Sequence, residues 1–240
     1  MKTTIILPVY NERENLEKNF AKVYRFMKRA GDFEIIIAED GSTDGSSEIA
    51  RRFAKLESVR LISSRRRLGR GGALKRAIRI ASGGIIGYID VDLATPLRFI
   101  PDAVEKARGG CDVVFGSRYD EGSYAKRTLS RFAGSKAYNF LLWAFFGSRI
   151  RDHQCGFKFW RREYIKQAVR QVEDNHWFFD SEMLIRAKKA GAKVCALPVE
   201  WHENRKTKVR LTDVLYFIRK ILRLKASLRN EHSMENGHKQ

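Results

Sequence analysis

The first half of the chain alternates short apolar runs with longer stretches of helical period, and this limits the fold more than any other feature. Residues 3–9, 33–38, 59–62, 85–89 and 112–115 are runs of strand length, largely apolar and rich in β-branched residues, with Glu34, Arg60 and Asp112 the charged members. Helical patterns follow the first four at 11–30, 46–56, 71–81 and 97–107. In the first, Leu16, Phe20, Val23 and Met27 share a face, and Asn11 to Glu14 has capping-box spacing. Such alternation predicts an α/β fold, a mostly parallel open sheet with helices on both faces. The second half is less regular. Helices are predicted at 128–146, 180–190 and 212–228, and strands at 156–160 and 193–199. The last helix would place Val214, Phe217, Ile218, Ile221, Leu224 and Leu228 on one side. No linker or repeat is visible. The expected organisation is one large domain over 1–204, a basic amphipathic helical segment over 205–229, and an unstructured polar tail over 230–240.

A chain of 240 residues with 43% hydrophobic content can bury a sizeable core. Its net charge of +19 favours an anionic partner: nucleic acid, an anionic membrane surface or a phosphorylated substrate. Part of this charge, Arg65-Arg66-Arg67 and Arg70, flanks a glycine-rich turn. A second concentration runs from Arg205 to Arg229, where Asp213 is the only acid. No helix-turn-helix, zinc-finger or RNA-binding aromatic motif supports nucleic acid. Cys111, Cys155 and Cys195 are widely spaced and form no metal pattern, so no disulfide framework is expected and a reducing compartment fits. Strand-like residues begin at Thr3, which leaves no room for a signal peptide. The apolar stretch 137–148 is shorter than the ~20 residues of a bilayer span. The expectation is therefore a chain without its own transmembrane anchor.

In an open α/β sheet, ligands bind beyond the carboxyl ends of the strands, and several apolar runs here end in polar groups. The first leads into Pro8-Val9-Tyr10-Asn11-Glu12, the second into Glu39-Asp40-Gly41-Ser42, and the fourth into Asp90-Val91-Asp92. Two carboxylates one residue apart make a hard oxygen site of the kind Mg²⁺ or Mn²⁺ prefers, with diphosphate oxygens completing the shell. Tyr10 can stack on a base. Asp40 can accept from a base N–H or bind ribose hydroxyls. Gly41 permits a turn that brings backbone close to a ligand. Leu68-Gly69-Arg70-Gly71-Gly72 enters a helix, whose N-terminal amides and dipole favour phosphate. The spacing is not that of a Walker loop, and the same glycines also suit a plain tight turn. Together these loops describe a nucleotide-diphosphate pocket with a divalent metal.

On these segments, and on Gly116-Ser117-Arg118-Tyr119, the sequence resembles the inverting family 2 glycosyltransferases with the GT-A fold, and within them the polyprenyl- and dolichyl-phosphate sugar synthases. The resemblance runs to about Leu224. Gln154-Cys155-Gly156-Phe157-Lys158 and Trp177-Phe178-Phe179-Asp180-Ser181-Glu182 look more like dolichyl-phosphate glucosyltransferases than mannosyltransferases. The resemblance implies roles residue by residue. Pro8, Tyr10, Glu12 and Asp40, with Gly41 and Gly69, would hold the donor nucleotide. Asp90 and Asp92 would hold metal and diphosphate. Arg118, Arg131 and Ser135 match positions that hold the acceptor phosphate, and Asp92, Arg118 and Arg131 would carry the chemistry. The helix at about 126–147 would face acceptor and membrane. Asp180 is either a base or a helix N-cap.

Two departures matter. A polar third metal-side residue, common in relatives, is replaced by Ala94. The Gln-x-x-Arg-Trp motif of processive synthases is absent, which argues against chain extension. The implied activity is inverting transfer of one hexose, glucose from UDP-glucose, to a dolichyl or polyprenyl phosphate, with Mg²⁺ or Mn²⁺. GDP-mannose as donor, a different acceptor, and a basic nucleic-acid-binding module are the alternatives, in that order. A cytoplasmic enzyme peripheral to the membrane follows, docked by basic amphipathic helices or held by an anchor subunit.

Overall fold

The computed structural model describes residues 1–126, 129–202 and 211–237, with side chains over 1–125, 132–202 and 213–231. The chain divides into two compact units, Met1–Lys126 with Asp152–Asn204, and Arg127–Arg151 with Arg205–Gln240. In the first unit, β1 (Thr3–Val9), β2 (Phe33–Glu39), β3 (Val59–Ser63) and β4 (Ile85–Tyr88) alternate with α1 (Arg13–Ala30), α2 (Ser46–Phe53) and α3 (Arg70–Ile80). A 3₁₀ turn (Leu97–Phe99), α4 (Ile100–Arg108), β5 (Val113–Ser117) and β6 (Tyr124–Lys126) follow. After the second unit's α5 (Leu129–Phe146) the chain returns for β7 (Lys158–Arg161), α6 (Arg162–Gln171), α7 (Phe179–Lys189), β8 (Val194–Pro198) and β9 (Glu200–His202). The helix α8 (Leu211–Gly237) completes the second unit.

The seven-stranded sheet has the order β3-β2-β1-β4-β7-β5-β8 and is parallel except for β7. This is the mostly parallel open sheet expected. Alternate residues of β1 explain why the run is continuously apolar. Ile5, Leu7 and Val9 join side chains of α1, α2 and α4 in one core. Ile6 is equally buried but outside that cluster, and α3 packs on β1 and β2 from the other face. A strand covered on both faces has no polar side to alternate with. The strand order reverses between β1 and β4, which pair in parallel from Thr3↔Ile85 to Ile6↔Tyr88. The loops after β2, β1 and β4 therefore leave one edge of the sheet side by side, at a topological switch point.

Several local expectations change. The start of α1 has no side-chain cap on its own helix. Instead Asp44 accepts from the Arg13 amide and Ser46 Oγ from the Glu12 amide, while Asn11 Oδ1 accepts from Thr43 N. The orphan donors of the helix are thus satisfied by the loop after β2. Cys111 and Cys195 form a disulfide, contrary to expectation. The cause is topological: β5 pairs with β8 in the register Val114↔Cys195, which brings position 111 beside 195 across a separation of 84 residues. The cysteine content therefore no longer argues for a reducing compartment. Cys155 is free and buried. β6, β9 and α6 had no counterpart in the sequence reading.

In the second unit α5 packs on α8. Tyr138 and Leu142 of α5 are buried, as are Ile221, Leu224 and Leu228 of α8, and the Tyr138 and Phe217 rings meet edge to face at 4.8 Å. The sequence pattern places Val214 and Ile218 on this face as well, but both are exposed. One residue turns a helix by ~100°, so 217 and 218 cannot both face α5. The structure groups α5 with α8 rather than with the domain over 1–204, and α8 continues past Asn230, where an unstructured tail was expected. Residues 205–210 and 238–240 lie outside the described residues. Among the described residues no helix is long and apolar enough to cross a membrane.

Candidate active site at the carboxyl edge of the sheet

The loop after β2 is built by Asp40. Its carboxylate is buried and accepts from the amides of Leu68 at 2.7 Å and Gly69 at 2.9 Å. Burial pushes this carboxyl above its ordinary range despite the two donors. Gly41 follows with φ +72°, and a Cβ there would stand 2.9 Å from the Arg66–Arg67 backbone. Only glycine lets the two loops come this close. The Arg67 guanidinium lies 4.1 Å from the centre of the Tyr10 ring, a cation–π contact on the ring proposed to stack a base. Glu12 is nearly buried and accepts from Asn15 Nδ2 at 2.7 Å. Pro8 is the last residue but one of β1 and is half-buried, as is Tyr10 just beyond the strand. The residues expected to hold the donor, Pro8, Tyr10, Glu12, Asp40, Gly41 and Gly69, are thus gathered by two neighbouring parallel strands and the turn after β3.

The glycine-rich turn has a packing reason that the sequence did not show. Gly69 has φ +92°, and a side chain there would collide with the Asn175 carbonyl and His176 ring. A Cβ on Gly71 would stand 2.6 Å from Phe179 Cβ. Amides at the start of α3 are already used, Leu68 and Gly69 by Asp40, and Gly72 by the Asn175 carbonyl at 2.9 Å. The same turn is therefore also a joint between α3 and the loop before α7.

Asp90 and Asp92 follow β4 as expected. The Asp90 carboxylate meets Arg70 Nη2 at 3.0 Å, and a side chain on Gly156 would strike it. Asp92 Oδ1 accepts from the Ala94 amide at 3.1 Å. Burial, and next the charge of Asp90, raises the Asp92 carboxyl. Ala94 does not offer a side-chain ligand, and its carbonyl instead accepts from the His202 amide at 2.8 Å. Among the described residues no cluster of three or more His, Cys, Asp or Glu side chains forms a metal cage. The pair fits an ion that keeps water or ligand oxygens: two hard carboxylates, close enough for one to raise the other, are relieved by a divalent cation.

Behind Asp90 lies a charge network. Asp180, in the first turn of α7, is almost fully buried and accepts from Tyr88 Oη at 2.8 Å and Lys158 Nζ at 2.9 Å. Arg70 Nε lies 3.5 Å from its other oxygen. Burial would raise this carboxyl, but Lys158 and Arg70 hold it below the usual range. The same two carboxylates raise the Arg70 guanidinium. Asp180 is neither of the expected alternatives. It caps no helix, and a carboxylate held ionised by two cations is a weak proton acceptor.

Arg118, at the end of β5, is 7% exposed and makes a two-pronged pair with Asp152, Nε at 2.6 Å and Nη2 at 2.7 Å. Its backbone amide donates to the same carboxylate, and Trp201 stacks near the guanidinium. Arg118 holds the Asp152 carboxyl below its usual range against the effect of burial. Arg131 and Ser135 belong to α5 in the second unit, and the Arg131 side chain lies outside the described residues. Sequence reasoning missed Arg70, Tyr88, Asp152 and Lys158 as members of the site. Lys158 carried one signal, since a lysine inside the apolar run 157–160 demands a buried partner.

Residues 4–168 match the family described as Glycosyl transferase family 2. The chain is 42% identical over 229 residues to glycosyltransferase AglD of Haloferax volcanii, covering 93% of this chain and 37% of that protein. It thus spans little more than a third of that relative. It is 28% identical over 228 residues to the dolichyl-phosphate beta-glucosyltransferase ALG5C of Trichomonas vaginalis, covering 89% and 67% of the two chains. Among solved structures it resembles glucosyl-3-phosphoglycerate synthase from Mycobacterium tuberculosis in complex with Mn²⁺, UDP and glucosyl-3-phosphoglycerate. The TM-score is 0.68 at 18% identity, with 94% of this chain and 79% of that chain covered. At that identity the likeness is one of fold.

Proposed function

Because this chain belongs to glycosyl transferase family 2, with the GT-A fold, we propose that it transfers one hexose, glucose from UDP-glucose, to a dolichyl or polyprenyl phosphate at the cytoplasmic membrane face. The observation that carries the reading is the Asp90/Asp92 pair at the β1/β4 switch point, beside the loops of Tyr10 and Asp40. The dolichyl-phosphate beta-glucosyltransferase among the relatives supports the sugar and the acceptor, and the Mn²⁺ and UDP of the structural neighbour support the donor and the metal.

Asp90 and Asp92 would hold Mg²⁺ or Mn²⁺, which when bound neutralises the charge developing on the leaving diphosphate. Arg70, held between Asp90 and Asp180, keeps positive charge at the same edge. An acceptor phosphate has its second pKa near ~6 and is largely dianionic at neutral pH. It needs little help from a base, which agrees with an Asp180 locked in its ionised form. By the resemblance, Arg118, Arg131 and Ser135 would bind the acceptor phosphate. Asp152 fixes the Arg118 guanidinium in place, so that this cation is positioned before the anion arrives.

The test is transfer from radiolabelled UDP-glucose and GDP-mannose by the purified chain, with dolichyl phosphate in detergent. Organic-soluble label from UDP-glucose supports the reading. Label from GDP-mannose alone, or only water-soluble product, overturns the donor or the acceptor.

A further inference from the structure

α3 opens on Arg70, and its first turn holds no acid. A helix N-terminus carries positive partial charge and disfavours a cation, so the helix itself gives this arginine no reason to stand there. Its carboxylate partners do. The side chain is 13% exposed and its guanidinium spans two acids, Asp90 at the carboxyl edge of the sheet and Asp180 behind it. Asp180 is shared, because the fully buried Lys158 and Tyr88 both donate to its other oxygen. One buried carboxylate thus faces two cations, and the surplus positive charge is turned on Asp90. The Asp90 carboxylate also lies against Gly156, where a Cβ would stand 1.9 Å from Oδ2, so it has little room to turn away from Arg70.

We propose that Arg70 is a built-in competitor of the metal, so that this edge takes a divalent cation together with a nucleoside diphosphate rather than alone. The coupling presupposes the transfer reading, which supplies the diphosphate, and adds the residue that joins the two ligands. A divalent ion on Asp90 shares that carboxylate with a guanidinium, and like charges in a partly buried site repel strongly. Arg70 does not give up its charge at any ordinary pH, and Asp180 holds it in place. Asp180 is therefore a positioning residue that acts through Arg70. The bare ion binds weakly as a result. A diphosphate reverses the balance, because its oxygens complete the shell of the ion and accept from the guanidinium at once. Each ligand then strengthens the other by the same factor.

The experiment measures Mn²⁺ binding to the full chain by electron paramagnetic resonance of the free ion, with and without UDP, and with no sugar or lipid present. The wild type gains roughly tenfold or more in Mn²⁺ affinity when UDP is added. In Arg70→Gln, Asp180 keeps Lys158 and Tyr88, so the fold is retained. That variant binds Mn²⁺ alone about tenfold more tightly than the wild type, and its gain from UDP falls to about threefold or less. Arg70→Lys keeps the charge and stays within about threefold of the wild type for Mn²⁺ alone. Unchanged or weaker binding of Mn²⁺ alone by Arg70→Gln overturns the proposal. A Lys variant that behaves as the Gln variant does overturns it too, because charge is then not the cause. Chains that bind no UDP sink the transfer reading instead, while the comparison with Mn²⁺ alone still decides the role of Arg70.

Discussion

Asp180 organises more of the site than any other residue the sequence pointed to, and in a different role. It is the common acceptor for Tyr88 and Lys158, and the second carboxylate of Arg70. Lys158 is fully buried, so Asp180→Asn leaves that ammonium without its ion-pair partner and Arg70 with Asp90 alone. The expected loss is about 3–5 kcal/mol of stability, read by denaturant unfolding; a loss under about 1 kcal/mol would show that the network is solvated. Asp92→Ala should keep the fold and lower metal-dependent transfer by roughly 100-fold or more. Full activity in that variant would remove Asp92 from the chemistry. Asp90 and Asp92 were legible because a strand that runs into acids is a local pattern. Their surroundings were not. Lys158 finds Asp180 22 residues away, and Arg118 finds Asp152 34 residues away. No spacing rule joins such pairs before the sheet order is known.

Elements whose two faces meet different neighbours were the hardest to read. β1 and β2 were legible because both faces are buried, which writes an unbroken apolar run. In α8 one apolar pattern hid two stripes, since residues 217 and 218 look alike in sequence yet face different surroundings. The glycine-rich start of α3 suits either a phosphate or a plain tight turn in sequence, and its glycines also seat Asn175, His176 and Phe179. Gly69 and Gly31 separate these causes. Both have positive φ, but a Cβ on Gly31 meets nothing within 4 Å. Gly31→Ala should cost only the backbone penalty of ~1 kcal/mol. Gly69→Ala should cost more, roughly 2–4 kcal/mol, because a backbone carbonyl must also move. Equal losses in thermal unfolding would return Gly69 to a simple turn.

For the whole molecule, stability should depend on pH through His153. This imidazole is fully buried, and its pKa is pushed from 6.5 down to about 3 by burial, then by the charge of Lys158, against the pull of Asp152. The folded chain therefore refuses a proton that the unfolded chain accepts below its ordinary value. The stability is present at neutral pH and is lost as pH falls from about 6.5 toward 3, at up to ~1.4 kcal/mol per pH unit. Between about pH 6.5 and 4.5 most carboxylates of the unfolded chain are still ionised, so the loss there reports His153, and His153→Gln should flatten it. An unchanged slope in that variant would assign the loss elsewhere. The chain's place in its family rests on residues 4–168, whereas the proposed activity rests on what one edge of the sheet can hold. Transfer of label from UDP-glucose to dolichyl phosphate, with and without a chelator, tests that most directly. The account predicts organic-soluble, Mn²⁺- or Mg²⁺-dependent label in the wild type and none in Asp92→Ala. Label that persists in excess chelator and in Asp92→Ala, or that never reaches the lipid, would contradict it.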